Sequence, residues 1–199
     1  MFAQLRPALM MIMLFTVLTG FAYPLAITGI AQLVFPYKAN GSIIERDGKA
    51  AGSALIGQNF ISGRYFHARP SATVAPDPAD PTKTVDAPYN AANSSGSNLG
   101  PTSKKLVDRV SSAIEAEFQA GYSDALAADA VTTSASGLDP HISPQFALAQ
   151  VPSVAKARNL SETRVRALVE ENTEQRWLGL IGESRVNVLL LNIALDVLK

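Results

Sequence analysis

The chain has no cysteine and only two histidines, His67 and His141, among its 199 residues. Without thiols it has no disulfide framework and no thiolate nucleophile or ligand. Two histidines so far apart supply too few nitrogens for a structural or catalytic zinc. A phosphate-binding GxxxxGK[ST] loop is also missing, since the glycine pairs Gly41/Gly48 and Gly96/Gly100 have the wrong spacing or no following lysine. ATP hydrolysis by this chain alone is therefore not expected. Charge is scarce as well: Lys and Arg total 17, Asp and Glu total 17, and together they make up 17% of the chain, against ~25% in ordinary soluble domains. A neutral chain has no global field with which to hold nucleic acid. A chain this short also has no room for a complete pump or a multi-span channel.

The charge deficit is concentrated at the N-terminus. No residue between Arg6 and Lys38 is charged, and about 20 apolar residues suffice to cross a bilayer core. Residues 1–37 thus read as an anchor with one transmembrane helix at about 8–34, its far interface marked by Tyr23, Phe35 and Tyr37. Pro24 predicts a break or kink near Gly20–Pro24. Ala22 and Ala26, with Gly29 close by, form a small-residue face suited to packing on a partner helix. The competing reading is a signal peptide cut near Gly29-Ile30-Ala31. Against it, the apolar stretch exceeds a usual signal core and its N-terminal flank carries only Arg6. The basic residues flanking the span are Arg6 on one side and Lys38, Arg46 and Lys49 on the other. Counting them favours a cytoplasmic domain, but long domains cross membranes regardless of such counts. The residues by themselves leave the side open.

Residues 38–199 read as one soluble α+β domain with more helix than strand. Short apolar runs, Ser42–Ile44 and Ser53–Ile56, flank Asp47-Gly48 and suggest a hairpin. The Pro/Asp-rich stretch at 74–88 reads as an exposed, partly extended loop, and the polar run 90–100 as another loop. Leu106, Val110, Ile114 and Phe118 recur every four residues and predict a helix. Ser143 before Pro144 predicts a capped helix start, with Pro152 expected to kink or end that helix. Further helices are expected after Ser161, with Leu160 and Val165 as a staple, and from near Asn187 to the C-terminus.

Two groups of residues invite chemistry. Ser136, Asp139 and His141 have the residue types of a hydrolytic triad, which makes a membrane-anchored hydrolase one alternative. No G-x-S-x-G elbow accompanies them, and Asp-Pro-His more simply builds a turn and a cap. Gln58, Asn59, Asn90 and Asn98 could hold a ligand through amide oxygens, as in an exported binding protein, although such residues in Gly/Ser loops commonly serve the turn itself.

Several blocks taken in order carry a resemblance: Leu5–Leu9, Thr19-Gly20 with Tyr23-Pro24-Leu25, Gly52–Phe60, Tyr65–Ala72, Ser97–Gly100, Val131–Asp139, and Arg185–Val188 through Asn192 and Asp196. Together they resemble KdpC, the C subunit of the bacterial Kdp potassium-transporting P-type ATPase, nearly end to end. The resemblance implies a single-pass inner-membrane subunit, with its N-terminus cytoplasmic and its domain periplasmic. Its partners would be a channel-like potassium-binding subunit, a P-type ATPase subunit and a small single-span subunit. Such a subunit catalyses nothing alone and binds no cofactor itself, because ATP and potassium are handled by the complex. It would support assembly and act as a catalytic chaperone that raises the pump subunit's affinity for ATP. A periplasmic domain cannot touch cytoplasmic ATP, so any such effect is expected to be indirect. The resemblance also singles out Gln150 as a candidate nucleotide contact, whose plainer reading is a helix residue facing solvent or a loop.

Overall fold

A computed structural model describes residues 2–119, 121–122 and 126–198. The chain divides into two compact units, Met1–Ser53 and Ala54–Lys199. The division falls beyond residue 37, so the first unit includes a hairpin as well as the apolar helix.

In the first unit, Leu5–Val34 forms a continuous 30-residue apolar helix, roughly 45 Å long at 1.5 Å per residue and so longer than the ~30 Å bilayer core. It comprises α1 (Leu5–Val17), a π-turn (Leu18–Ala22) and α2 (Tyr23–Val34). None of its residues is buried within the chain, as expected of a helix that is apolar on every side. The expected disturbance near Gly20–Pro24 takes the form of the π-turn. Pro24 offers no N–H to the carbonyl of Gly20 and its ring would crowd that carbonyl; the wider turn makes room, and the Tyr23 N–H bonds back to the Leu18 carbonyl. Thr19 adds a bond from its Oγ1 to the Phe15 carbonyl at 2.6 Å. Phe35 ends the helix in a non-helical conformation ahead of Pro36, and a short turn of helix, α3 (Pro36–Ala39), follows.

Strands β1 (Ile43–Arg46) and β2 (Lys49–Ser53) pair antiparallel around Asp47-Gly48. Both turn residues have positive φ, 53° and 72°, the geometry that the right-handed strand twist favours in two-residue hairpins. Because Arg46 pairs with Lys49, the second strand is Lys49–Ser53 rather than the apolar run to Ile56.

The second unit contains β3 (Val74–Pro76), β4 (Thr84–Asp86), α4 (Lys104–Gln119), α5 (Ala128–Val131), β5 (His141–Ile142), α6 (Pro144–Arg158), α7 (Glu162–Glu171), β6 (Thr173–Glu174), β7 (Arg185–Asn187) and α8 (Val188–Val197). The stretch at 74–88 is not only loop: β3 and β4 pair antiparallel within it. Its prolines end or flank the strands instead of interrupting them, and Asp77 and Asp80 accept backbone N–H groups from Ala79 and Thr82 in the turn. The three-stranded sheet has the order β5-β7-β6, antiparallel throughout.

Three helices start as the sequence predicts. Ser143 accepts from the Phe146 N–H, Ser161 from the Arg164 N–H and Asn187 from the Leu190 N–H. α6 nevertheless runs through Pro152 without ending. Pro152 lies on the exposed face, where the Leu148 carbonyl it leaves unpaired can bond water. The core gathers Phe66, Ile142, Phe146, Val151, Val154, Val165, Val169, Val186, Leu191 and Leu195 between the sheet and helices α6, α7 and α8. Phe66 comes from a segment with no secondary structure of its own.

Candidate functional site

That segment, Arg64 to Thr73, threads through the second unit and is held by side chains from two helices. At Phe66, the N–H donates to Asn192 Oδ1 at 2.8 Å and the carbonyl accepts from Asn192 Nδ2 at 3.0 Å. One residue later the pattern repeats from another helix: the His67 N–H donates to Gln150 Oε1 at 2.7 Å, and Gln150 Nε2 donates to the His67 carbonyl at 3.1 Å. Each amide thus supplies one acceptor and one donor to a single residue, the pairing that a neighbouring strand would otherwise provide. α8 supplies the first clamp and α6 the second. Just upstream, Arg158 donates to the Arg64 carbonyl at 2.6 Å, lies over the Tyr65 ring at 4.7 Å and pairs with Asp196 at 2.7 Å.

Gln150 therefore faces a loop, one of the two alternatives of its plainer reading, and not solvent. It is 1% exposed, and both ends of its amide bind backbone. Asn192, equally buried, is among the residues that carry the family resemblance but is not one of the candidate site residues; the available signal for a buried role is an amide in the middle of the apolar run LLLNIALDVL.

The polar loops form a second hydrogen-bonded cluster. Asp139 accepts from Arg69 Nη1 at 3.1 Å and from the His141 N–H at 3.0 Å, with His141 Nδ1 at 3.6 Å. Arg69 also reaches the carbonyls of Thr132 and Thr133, and its own carbonyl accepts from the Tyr89 hydroxyl at 2.7 Å. Burial raises the affinity of Asp139 for a proton, but the bonds from His141 and Arg69 outweigh it and hold the carboxyl below its usual range. Burial, reinforced by the Asp139 charge, pushes the Tyr89 hydroxyl up, which keeps it a donor.

Ser136 accepts from the Leu138 N–H at 3.2 Å and so belongs to the turn. The structure brings Asp139 and His141 together, while Ser136 makes no hydrogen bond to His141 among the described residues. Gln58 is half-buried and Asn59 exposed. Asn98 is exposed with φ 50°, and the Asn90 side chain donates to the Val74 carbonyl at 2.9 Å. Among the described residues no group of three or more His, Asp or Glu side chains converges as a metal-binding set.

Glycine lets these loops interlock. A β-carbon at Gly57 would strike the Tyr89 ring and the Asp139 carbonyl, and one at Gly96 would lie 2.6 Å from the Ala135 carbonyl. Gly137 adopts φ +67°, and a β-carbon there would lie 2.5 Å from Thr73 Cγ2 and 2.6 Å from the Ser95 carbonyl. Gly137→Ala is expected to lower stability by about 3 kcal/mol, combining a left-handed backbone cost with overpacking; a shift in the denaturant midpoint measures it.

The lowered pKa of Asp139 carries a sign. Its contribution to stability is present above the unfolded carboxylate range and is lost as pH falls through the lower folded value. Asp139→Asn should lower the urea midpoint at pH 7, and the gap to the parent chain should close as pH drops below about 4. A gap independent of pH would contradict this.

In the first unit, Ala22, Ala26 and Gly29 are spaced i, i+4, i+7 and so fall on one helix face. All three are exposed, and a β-carbon at Gly29 would meet nothing within 4 Å. The face is open to a close neighbour.

Comparison with known proteins identifies the family. The family model described as KdpC, K+-transporting ATPase, c chain, matches residues 5–197. The potassium-transporting ATPase KdpC subunit of Bradyrhizobium diazoefficiens is 60% identical over 98% of both chains. Its counterpart in Rhodopseudomonas palustris strain BisB18 is 58% identical over the full length of both, and that of Methylobacterium nodulans is 59% identical over 100% of this chain and 98% of its own. With its apolar N-terminal helix, its mixed helix-and-strand unit and a match nearly end to end, the chain belongs to the KdpC family of potassium-transporting ATPase subunits.

Proposed function

We propose that the chain is a non-catalytic subunit of a high-affinity, ATP-driven potassium uptake complex, supporting assembly and raising the ATP affinity of the pump subunit without touching nucleotide. Residues 1–37 anchor it in the inner membrane with the N-terminus cytoplasmic, and residues 38–199 stand on the periplasmic side. Its partners are the channel-like potassium-binding subunit, the P-type ATPase subunit and the small single-span subunit. ATP and potassium are handled by those partners.

The observation that carries this reading is the commitment of Gln150. The one residue that the family resemblance offers for nucleotide contact has both ends of its amide bound to the His67 backbone and is 1% exposed. An effect on ATP affinity then has to pass through the complex as a coupling free energy between subunits, commonly 1–3 kcal/mol or about 5–150-fold in affinity. The helix face of Ala22, Ala26 and Gly29 supports packing of the span on a partner.

The test compares the apparent KM for ATP of potassium-stimulated hydrolysis by the complex with and without this chain. A KM several-fold lower with the chain present is expected; an unchanged KM would remove the chaperone part of the proposal. Protease treatment of spheroplasts and of inverted vesicles fixes the side, with cleavage of the domain expected in spheroplasts only.

A further inference from the structure

Beyond the sheet, β6 and β7 continue as a narrow arm that ends in Trp177-Leu178-Gly179-Leu180-Ile181-Gly182. Its four large side chains point outward: Trp177 is 66% exposed, Leu178 73%, Leu180 83% and Ile181 61%. Leu178 is held at φ 51° between neighbours that close the turn, so the exposure is built into the backbone. We propose that this tip is a second membrane contact, which inserts its apolar side chains at the headgroup–acyl boundary of the bilayer that the span crosses. The inference rests on the span lying in a membrane and on no other part of the proposed function.

Four features favour lipid as the occupant. First, much of the tip's backbone pairs within the turn: Trp177 and Ile181 exchange both N–H bonds, at 2.9 and 3.0 Å, and the N–H groups of Gly179 and Leu180 bond to the carbonyls of Arg176 and Trp177. Each of these bonds lowers the cost of taking backbone out of water, and at the headgroup boundary the remaining groups still meet polar partners. Second, the indole N–H is the only polar side-chain group among residues 177–182, and tryptophan's apolar body with one donor suits the boundary between acyl chains and headgroups.

Third, the neck behind the tip is polar and internally neutral. Arg176 pairs with Glu183, Arg185 with Glu174 at 2.9 Å, and Ser184 donates to Gln175 at 3.1 Å. Such a collar fits the headgroup layer without a net charge to desolvate. Fourth, side chains of this size on one turn expose only a few hundred Å², short of the roughly 800 Å² per partner that a standard protein interface buries. As a supplement to a membrane span that area is ample, because one extra apolar element adds to an anchor already in place.

Trp177 is the chain's only tryptophan, so its fluorescence reports the tip alone. The full chain would be reconstituted in phosphatidylcholine/phosphatidylglycerol vesicles with and without brominated acyl chains, and carbonate extraction would verify separately that the span is embedded. The expected result is blue-shifted emission that brominated lipid quenches, as for an indole at the boundary. Leu180→Asp should return Trp177 to water-like emission and acrylamide access with the far-UV circular dichroism unchanged. Acrylamide-accessible emission that brominated lipid does not quench, with the span embedded, would overturn the proposal. So would shielding of Trp177 that develops only when the other subunits are added, which would assign the tip to a protein interface. A span that fails carbonate extraction would instead strike at the membrane placement itself, and the proposal would fall with it.

Discussion

Asn192→Leu is expected to destabilise the folded chain by about 3 kcal/mol, and Gln150→Leu by a similar amount. Both substitutions roughly preserve side-chain volume, so the cavity cost of a truncation is avoided and the lost hydrogen bonds are what the experiment reads. Asn192→Leu leaves the N–H and carbonyl of Phe66 without their partners, at a site where Phe66 is fully buried and Asn192 is 1% exposed. Each orphaned buried group costs about 1–3 kcal/mol, and the added apolar surface of Leu offsets part of the sum. Gln150→Leu does the same one residue along the chain. Because the two clamps grip adjacent residues, the double variant should lose less than the sum of the single ones. Urea titration of the full chain in detergent, followed by circular dichroism, measures all three. An unchanged midpoint in Gln150→Leu together with a lost nucleotide response would contradict the structural role of this amide.

Ala22→Leu with Ala26→Phe is expected to release the chain from its partner subunits. Both residues are exposed on a helix that buries nothing within its own chain, so the domain has no reason to unfold when they change. In a bilayer, helices associate by close packing and interhelical hydrogen bonds, since lipid is as apolar as the helices themselves. Two bulky side chains on the i, i+4 face would hold a neighbouring helix away and forfeit that packing. A loss of about 1.4 kcal/mol already lowers association tenfold. Co-purification from detergent extracts should fall at least that far. Full recovery of partners with the double variant would place the contact elsewhere.

These two predictions differ in how far the sequence revealed their basis. The long apolar helix, its disturbance before Pro24, the Asp47-Gly48 turn, the cap at Ser143 and the helix starts at Ser161 and near Asn187 all obey rules that act over a few residues, and they were legible for that reason. The clamps were not: Gln150 and His67 are separated by 83 positions, and Asn192 and Phe66 by 126. Around Gln150 nothing local distinguishes an amide that will grip a distant backbone from one that will face water, and at Asn192 the apolar run signals burial but not the partner. The blocks Tyr65–Ala72 and Val131–Asp139 carried the family resemblance, yet the structure uses much of their polarity internally, through Arg69 with Asp139 and Ser71 with the Gly137 carbonyl. Proline interrupts regular structure less than its general rules suggest in two places, for one reason. Its effect depends on whether its missing N–H faces solvent or a strand end, and at Pro152 and Pro76 it does.

The claim that ATP affinity is raised from a distance is tested most directly by photo-crosslinking an azido-ATP analogue to the intact complex during turnover. Labelling of the P-type ATPase subunit that ATP competes away, with none on this chain, is the expected result. Saturable, ATP-competed labelling of this chain, above all at or near Gln150, would contradict it.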